Sequence, residues 1–319
     1  MAVPRDTPAV ETHALARSFG ERVAVASLDL LVPAGSLFGL VGPDGAGKST
    51  AIRLLAGILR PTSGQGRVLG FDLASESESV KARIGYLSQQ FTLYGDLTVD
   101  ENIEFFGDLH GVAGYEQRRD ELLKFTRLAP FRKRLAGALS GGMKKKLALA
   151  CTLIHTPELL LLDEPSTGVD PVSRGEFWNI LGDILDRGVT VVLTTPYLDE
   201  VERCSLVGLM DHGRVFMTGT PDEIRRRMPG EVFEIVSASP ATAYRVLRSA
   251  WPSSSLVLYE DRLRLWTAAG ENDARRAAGL IESEGLGAAT VRRATPSLED
   301  AFVALIAGGE SRGGPHAGE

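Results

Sequence analysis

The sequence predicts an α/β protein built on a parallel core sheet, with a small α+β module after residue 229. Three observations carry that prediction. Leu159–Asp163 and Val189–Thr194 are short, unbroken apolar runs, as expected of strands buried on both faces of a parallel sheet. Ser36–Val41 is apolar too, and it runs straight into a glycine-rich turn with helical sequence from Lys48 behind it. Beyond Met228-Pro229-Gly230 the pattern shifts to short elements in the order β-α-β-β-α-β, the order of a ferredoxin-like module.

The individual elements follow from local signals. Val10–Leu15 and Val23–Val32 have strand composition, and the helix from Lys48 is expected to run to about Leu59, before Pro61. Thr98 with Glu101 three residues on is a capping box, which predicts a helix to about His110. Ser140 caps another helix, whose face Leu147, Cys151, Ile154 is apolar. In the second module Glu231–Ser237 is a strand, Pro240–Trp251 a helix, and Ser255–Glu260 with Arg262–Thr267 a hairpin. Glu271–Glu284 is a helix, Ala288–Arg293 a strand, and Ser297–Ile306 a final helix capped by Ser297. The domains expected are therefore 8–229 and 230–308, with 309–319 a disordered, glycine-rich tail.

Bulk properties narrow the classes of function. At 319 residues the chain is long for a single core, so a second unit is expected. A net charge of −6 argues against a nucleic-acid binder that works by bulk attraction to phosphates. Cys151 and Cys204 lie far apart with no metal-ligand spacing, and suit small buried hydrophobes in a reducing compartment. Met1–Thr12 has no apolar core of a secretory signal, and the longest apolar stretches fall far short of the roughly 20 residues that span a bilayer. Any role at a membrane is then expected to run through a partner.

The strongest local signal is Gly42-Pro43-Asp44-Gly45-Ala46-Gly47-Lys48-Ser49-Thr50, which fits G-x-x-x-x-G-K-[ST]. Glycines let successive backbone N–H groups turn inward as an anion nest, and the helix start adds a positive dipole end. Lys48 can reach β- and γ-phosphates, and the Ser49 hydroxyl can reach Mg²⁺. A plain glycine turn is the bland alternative; the strand before and the helix behind argue against it.

Leu159–Leu162 delivers Asp163 and Glu164 at the carboxyl end of a buried strand, where α/β folds place metal and phosphate chemistry. Asp163 would hold Mg²⁺ through water, and Glu164 would polarise the attacking water. Alone this pair is weak evidence; behind a phosphate loop it is strong.

Leu139-Ser140-Gly141-Gly142-Met143 decides between nucleotide-binding families, because it resembles the LSGGQ signature of the ABC ATPases. A Ser hydroxyl with two glycine N–H groups at a helix start is a second anion site. The resemblance implies that Ser140, Gly141 and Gly142 close over ATP held by the phosphate loop of another protomer, so that two nucleotide-binding domains sandwich two ATP molecules. It also implies an antiparallel β subdomain and a helical signature subdomain beside the parallel core. Phe19 is placed like the aromatic that stacks on adenine. Ile84–Gln89 resembles the Q-loop, whose Gln89 touches Mg²⁺ and senses a membrane subunit. Ser166–Asp170 resembles the D-loop, whose Asp170 crosses the dimer seam. The resemblance thus makes Lys48, Gln89 and Glu164 catalytic, and Ser49, Gln89 and Asp163 the metal residues.

Three positions depart from that pattern. Asp44 stands for the usual Asn, either as a carboxylate near the phosphates or as a turn residue. Met143 stands for Gln and is expected to affect packing more than phosphate contact. Pro196 stands where the family carries a His on the γ-phosphate, and proline offers neither an imidazole nitrogen nor a backbone N–H. Either Tyr197 or Thr195 substitutes, or the chain binds ATP and dimerises without turnover.

The stretches Ile84–Asn102, Leu139–Pro165 and Thr195–Cys204, with Pro296–Phe302 near the end, are similar to ATPases of type-2 ABC exporters. This implies an ATPase that powers membrane-spanning permease subunits from the inner face of the cell membrane, for drugs or small hydrophobic molecules. An ABC ATPase without a membrane partner is the rival; those usually fuse two cassettes or insert coiled coils, and this chain has one cassette and no heptad run. The runs Lys144–Lys146 and Arg225–Arg227 are expected to be solvated helix faces.

Overall fold

The computed structural model describes residues 7–90, 93–251, 255–259 and 261–310, and it divides the chain into two compact units that meet at Thr220 and Pro221. The first unit opens with an antiparallel pair, β1 (Val10–Phe19) and β2 (Arg22–Val32). Strand β3 (Leu37–Val41) leads into helix α1 (Lys48–Leu55), and β4 (Ser63–Val68) and β5 (Phe71–Asp72) extend the antiparallel part beside β1. The short helix α2 (Ser77–Lys81) precedes β6 (Ile84–Leu87). Three helices follow, α3 (Val99–Leu109), α4 (Tyr115–Phe125) and α5 (Gly141–Leu153), and form the helical subdomain. The chain then returns through β7 (Leu159–Asp163), α6 (Pro171–Asp186), β8 (Thr190–Thr195), α7 (Leu198–Val201), β9 (Leu206–Asp211) and β10 (Arg214–Gly219).

Among the described residues these strands form one ten-stranded sheet, β5-β4-β1-β2-β10-β9-β3-β8-β7-β6. The run from β9 to β6 is parallel throughout. Every residue of β3, β7 and β8 is buried, so the apolar runs read from the sequence are interior strands covered on both faces. Strand β8 lies between β3 and β7. The carboxyl ends of all three, which carry the phosphate loop, Asp163-Glu164 and Thr194-Thr195, therefore emerge side by side.

The second unit begins with α8 (Pro221–Arg227) and continues through β11 (Glu231–Val236), α9 (Pro240–Leu247), β12 (Leu256–Leu258), β13 (Leu263–Thr267), α10 (Glu271–Ser283), β14 (Thr290–Ala294) and α11 (Leu298–Glu310). Its antiparallel sheet has the order β12-β13-β11-β14, the strand order of a ferredoxin-like fold. Ile235, Leu247, Trp251, Leu263, Leu265 and Ile281 form its core.

Several boundaries differ from the expected ones. Helix α1 stops at Leu55 rather than Leu59, well before Pro61. Gly57 takes the left-handed C′ position (φ 67°), and its N–H and that of Ile58 bond back to the Leu54 and Arg53 carbonyls. The division between units falls at 220/221 rather than 229/230, because α8 packs on α11 and the Trp266 indole donates to the Pro229 carbonyl. Residues 309 and 310 belong to α11, and the rest of the expected disordered tail, 311–319, lies outside the described residues, as do Glu260 and Met1–Asp6. The capping boxes at Thr98/Glu101 and Ser297/Asp300 are both formed. Among the described residues no helix is long and apolar enough to cross a membrane. Cys151 and Cys204 are free and buried, and burial pushes both thiols up, that of Cys204 to about 12.

Candidate functional site

A cleft of about 330 Å³ opens at the carboxyl end of β3. Asp44, Gly45, Gly47, Lys48, Ser49 and Thr50 of the phosphate loop line it, together with Glu164. Gly47 sits at the start of α1 with φ 105°, and a Cβ there would collide with the Ala24 carbonyl oxygen, so the loop can take this course only with glycine. Ala46 donates to the Pro43 carbonyl, which closes a turn with Asp44 inside it, exposed at the edge of the cleft. The Asp44 carboxylate is thus both a turn residue and a cleft residue. Lys48 is only 4% exposed; its ammonium donates to the Gly42 and Pro43 carbonyls at 2.9 and 3.0 Å and lies 3.8 Å from Glu164 Oε1.

Across the cleft, the end of β7 holds two carboxylates in different surroundings. Asp163 is fully buried; its Oδ1 accepts from Ser49 Oγ at 3.0 Å and from Thr194 Oγ1 at 2.7 Å, while its Oδ2 is buried without a partner. An orphaned carboxylate oxygen beside a serine hydroxyl is a hard-oxygen donor set that fits a divalent cation such as Mg²⁺. Glu164 is buried with φ 47°, a left-handed backbone that costs a non-glycine residue about 1–3 kcal/mol. Three residues fix its place. Its N–H bonds to the Thr194 hydroxyl and carbonyl, its Oε2 accepts from Gln89 Nε2 at 2.8 Å, and Thr167 Oγ1 donates to the same oxygen at 3.4 Å.

The structure therefore brings Lys48, Ser49, Gln89, Asp163 and Glu164 into one constellation. It adds residues the sequence did not single out. Thr194 ties the Asp163 carboxylate to the Glu164 backbone, its hydroxyl donating to Asp163 Oδ1 and accepting from the Glu164 N–H, and its only sequence mark is an ordinary threonine in an apolar run. Arg22, Val23, His212 and Gly213 line the cleft from two strand turns, the second of which ties to the loop through Gly213 N–H and the Ala46 carbonyl. Thr194→Val keeps the shape and removes the bridge. It is expected to cost about 1–3 kcal/mol of stability, because two buried polar groups lose a partner, and to lower any turnover about tenfold. A thermal melt equal to that of the unaltered protein would show that the Thr194 carbonyl holds Glu164 by itself.

Residues 25–167 match the family model described as ABC transporter. The daunorubicin/doxorubicin resistance ATP-binding protein DrrA of Streptomyces peucetius is 37% identical over 94% of this chain and 92% of that protein. The chain belongs to the ABC transporter ATP-binding proteins. A probable multidrug ABC transporter ATP-binding protein of Escherichia coli K12, YbhF, is 42% identical over 90% of this chain. The chain spans about half the length of that relative. A solved structure of the ATP-binding subunit of an ABC transporter superposes with a TM-score of 0.62 at 29% identity, over 68% of this chain and 92% of that one.

The remaining family positions of this ABC ATP-binding protein sit apart from the cleft. Ser140 caps α5 and accepts from the Met143 N–H at 3.3 Å, so Met143 contributes only its backbone there. Ser140 and Gly141 are exposed, and the buried Gly142 backbone lies directly against Ser173 of α6. Asp170 caps α6 by accepting from the Val172 and Ser173 N–H groups, and the hydrogen bonds to Ser173 hold its carboxyl below the usual range. Ser140–Gly142 and Asp170 thus form a second, outward-facing cluster. Phe19 ends β1 45% exposed with the Arg17 guanidinium 4.6 Å over its ring, and it does not line the cleft, although its cross-strand partner Arg22 does.

Around Pro196 the two candidate substitutes differ. The buried Thr195 hydroxyl donates to Glu200 Oε2 at 2.7 Å and accepts from the Tyr197 N–H, so its proton is committed away from the cleft. Tyr197 is 41% exposed. The expectation of a solvated Lys144–Lys146 face holds for Lys144 only. Lys146 is buried, with its ammonium 2.6 Å from Glu176 Oε2, because α6 packs across α5 at that point. Lys145 is half-buried and donates to the Gln89 carbonyl.

Proposed function

We propose that this chain hydrolyses ATP and powers a membrane-spanning exporter, through ATP-driven pairing of two nucleotide-binding domains. The observation that carries this is Glu164. It is a buried carboxylate in a costly backbone conformation, anchored by Gln89 and Thr194 and facing Lys48 across a phosphate loop. Such a group is placed to take a proton from water attacking a bound γ-phosphate. Lys48 would offset the charge that builds on the phosphoryl oxygens. Ser49 and Asp163 would hold Mg²⁺, which would supply positive charge against the phosphate oxygens. The outward cluster of Ser140–Gly142 and Asp170 fits a facing protomer, because it lies outside the cleft of its own chain.

Permease subunits are the expected partners, and the inner face of the membrane the expected location. The cargo class is a drug or a small hydrophobic molecule. The names of the relatives from Streptomyces peucetius and Escherichia coli support that class. The test is steady-state phosphate release by the unaltered protein, alone and with its permease, against Glu164→Gln. Turnover equal to that of the variant in both settings would favour the second reading, a nucleotide sensor without turnover, which Pro196 motivates.

Pro196→His separates a tolerated variant from a structural proline. The loop is already tied by the Thr195 hydroxyl to Tyr197 N–H and Glu200. The histidine is therefore expected to keep turnover or raise it, by up to about tenfold for one regained hydrogen bond to a charged group. A clear fall in turnover would mean that the fixed φ of proline is needed.

A further inference from the structure

Two clusters that the site leaves apart are joined by one side chain. Lys145 lies just over one turn into α5, the helix whose first residues are Gly141 and Gly142. Its ammonium donates to the Gln89 carbonyl at 3.1 Å, and the Gln89 side-chain amide donates in turn to Glu164 Oε2 at 2.8 Å. We infer that Lys145 is a positioning residue, which holds Gln89 and through it Glu164, and so links the signature helix to the reaction centre of the same chain.

The chemistry of the link favours a lysine. A charge-assisted bond to a carbonyl is stronger than a neutral one, and a four-carbon stem can cross from helix to loop. Burial disfavours the charged ammonium, while the Asp163 and Glu164 carboxylates favour it; burial prevails and lowers the Lys145 pKa. The stem lies in a groove lined by Leu93, Ala136 and Ala148, so packing alone is the competing explanation. The neighbours have other tasks, since Lys144 is exposed and Lys146 is committed to Glu176.

The inference deepens the proposed function and rests on it in one respect. If Ser140–Gly142 close on ATP held by a facing protomer, a shift of α5 on closure pulls on Gln89, and each chain registers at its own Glu164 that it has engaged its partner. Because Lys145 does not line the phosphate-loop cleft, its loss is expected to show in kcat rather than in KM.

The test uses the full chain with Lys145→Met, which keeps the stem and removes the donor, and Lys145→Arg, which keeps a charged donor. Lys145→Met is expected to lower kcat about tenfold with KM for ATP within about twofold, and Lys145→Arg to stay within about threefold of the unaltered protein. Hydrogen–deuterium exchange on the same proteins reads the link without turnover. The peptide carrying Ser88–Gln90 is expected to exchange about tenfold faster in Lys145→Met, with the phosphate-loop peptide unchanged. An unchanged Ser88–Gln90 peptide would overturn the inference, as would equal losses of kcat in both variants with a lowered melting temperature. If the unaltered protein turns over no faster than Glu164→Gln, the proposed function fails, and exchange alone then decides the role of Lys145.

Discussion

Lys48→Ala is expected to weaken ATP binding by about a hundredfold or more, the effect of losing roughly 3 kcal/mol of charge-assisted bonding to phosphate. The ammonium is buried to 4% exposure and held by the Gly42 and Pro43 carbonyls, so it is fixed at the loop before any phosphate arrives. Phosphate oxygens would replace these carbonyls as partners with little rearrangement of the stem. Alanine leaves the nest of backbone N–H groups in place but without its point charge. The fold should hold, because Glu164 keeps Gln89 and Thr167 as partners when the ammonium is gone. Titration with a fluorescent ATP analogue, beside a thermal melt, checks this. An affinity equal to that of the unaltered protein, with a native melt, would remove Lys48 from the binding site.

What the sequence made legible divides along physical lines. Residue types that are themselves the chemistry, such as the loop Gly42–Thr50 and the pair Asp163-Glu164, stand out in the sequence because they supply a nest, a cation and a carboxylate in that order. Strands β3, β7 and β8 were legible because burial on both faces leaves unbroken apolar runs. Tertiary partners were not. Nothing in the run Lys144–Lys146 shows that Glu176, thirty residues on, meets Lys146, or that the Gln89 carbonyl meets Lys145. Thr194 was missed for the same reason: its hydroxyl acts across neighbouring strand ends, and an apolar run with a threonine looks like any other. The end of α1 at Gly57 was overlooked because Pro61 is the louder stop signal; the glycine acts first. Proline and glycine at 229–230 mark a break that places residues 221–227 in the first domain, whereas the partner of α8, α11, lies over seventy residues downstream.

Glu164→Gln should separate binding from chemistry. The amide has the shape of the carboxylate and retains an oxygen for the Gln89 amide, so the network around Oε2 can persist. The backbone bonds to Thr194, which hold the left-handed turn, do not involve the side chain at all. What is lost is the capacity to accept a proton from water, a contribution of about 10²–10⁴-fold to rate. Removing one negative charge close to Lys48 also lowers repulsion toward a triphosphate, so ATP affinity is expected to be equal or higher. If two protomers close over two nucleotides, uncleaved ATP then keeps them closed. Light scattering at saturating Mg-ATP should find a stable dimer for the variant where the unaltered protein, which clears its nucleotide, is mainly monomeric. A stalled variant that stays monomeric would confirm Glu164 as the base and reject Ser140–Gly142 as half of a shared site. A variant that still turns over at the full rate would reject the base itself, and would move the search to Tyr197, the exposed side chain beside Pro196.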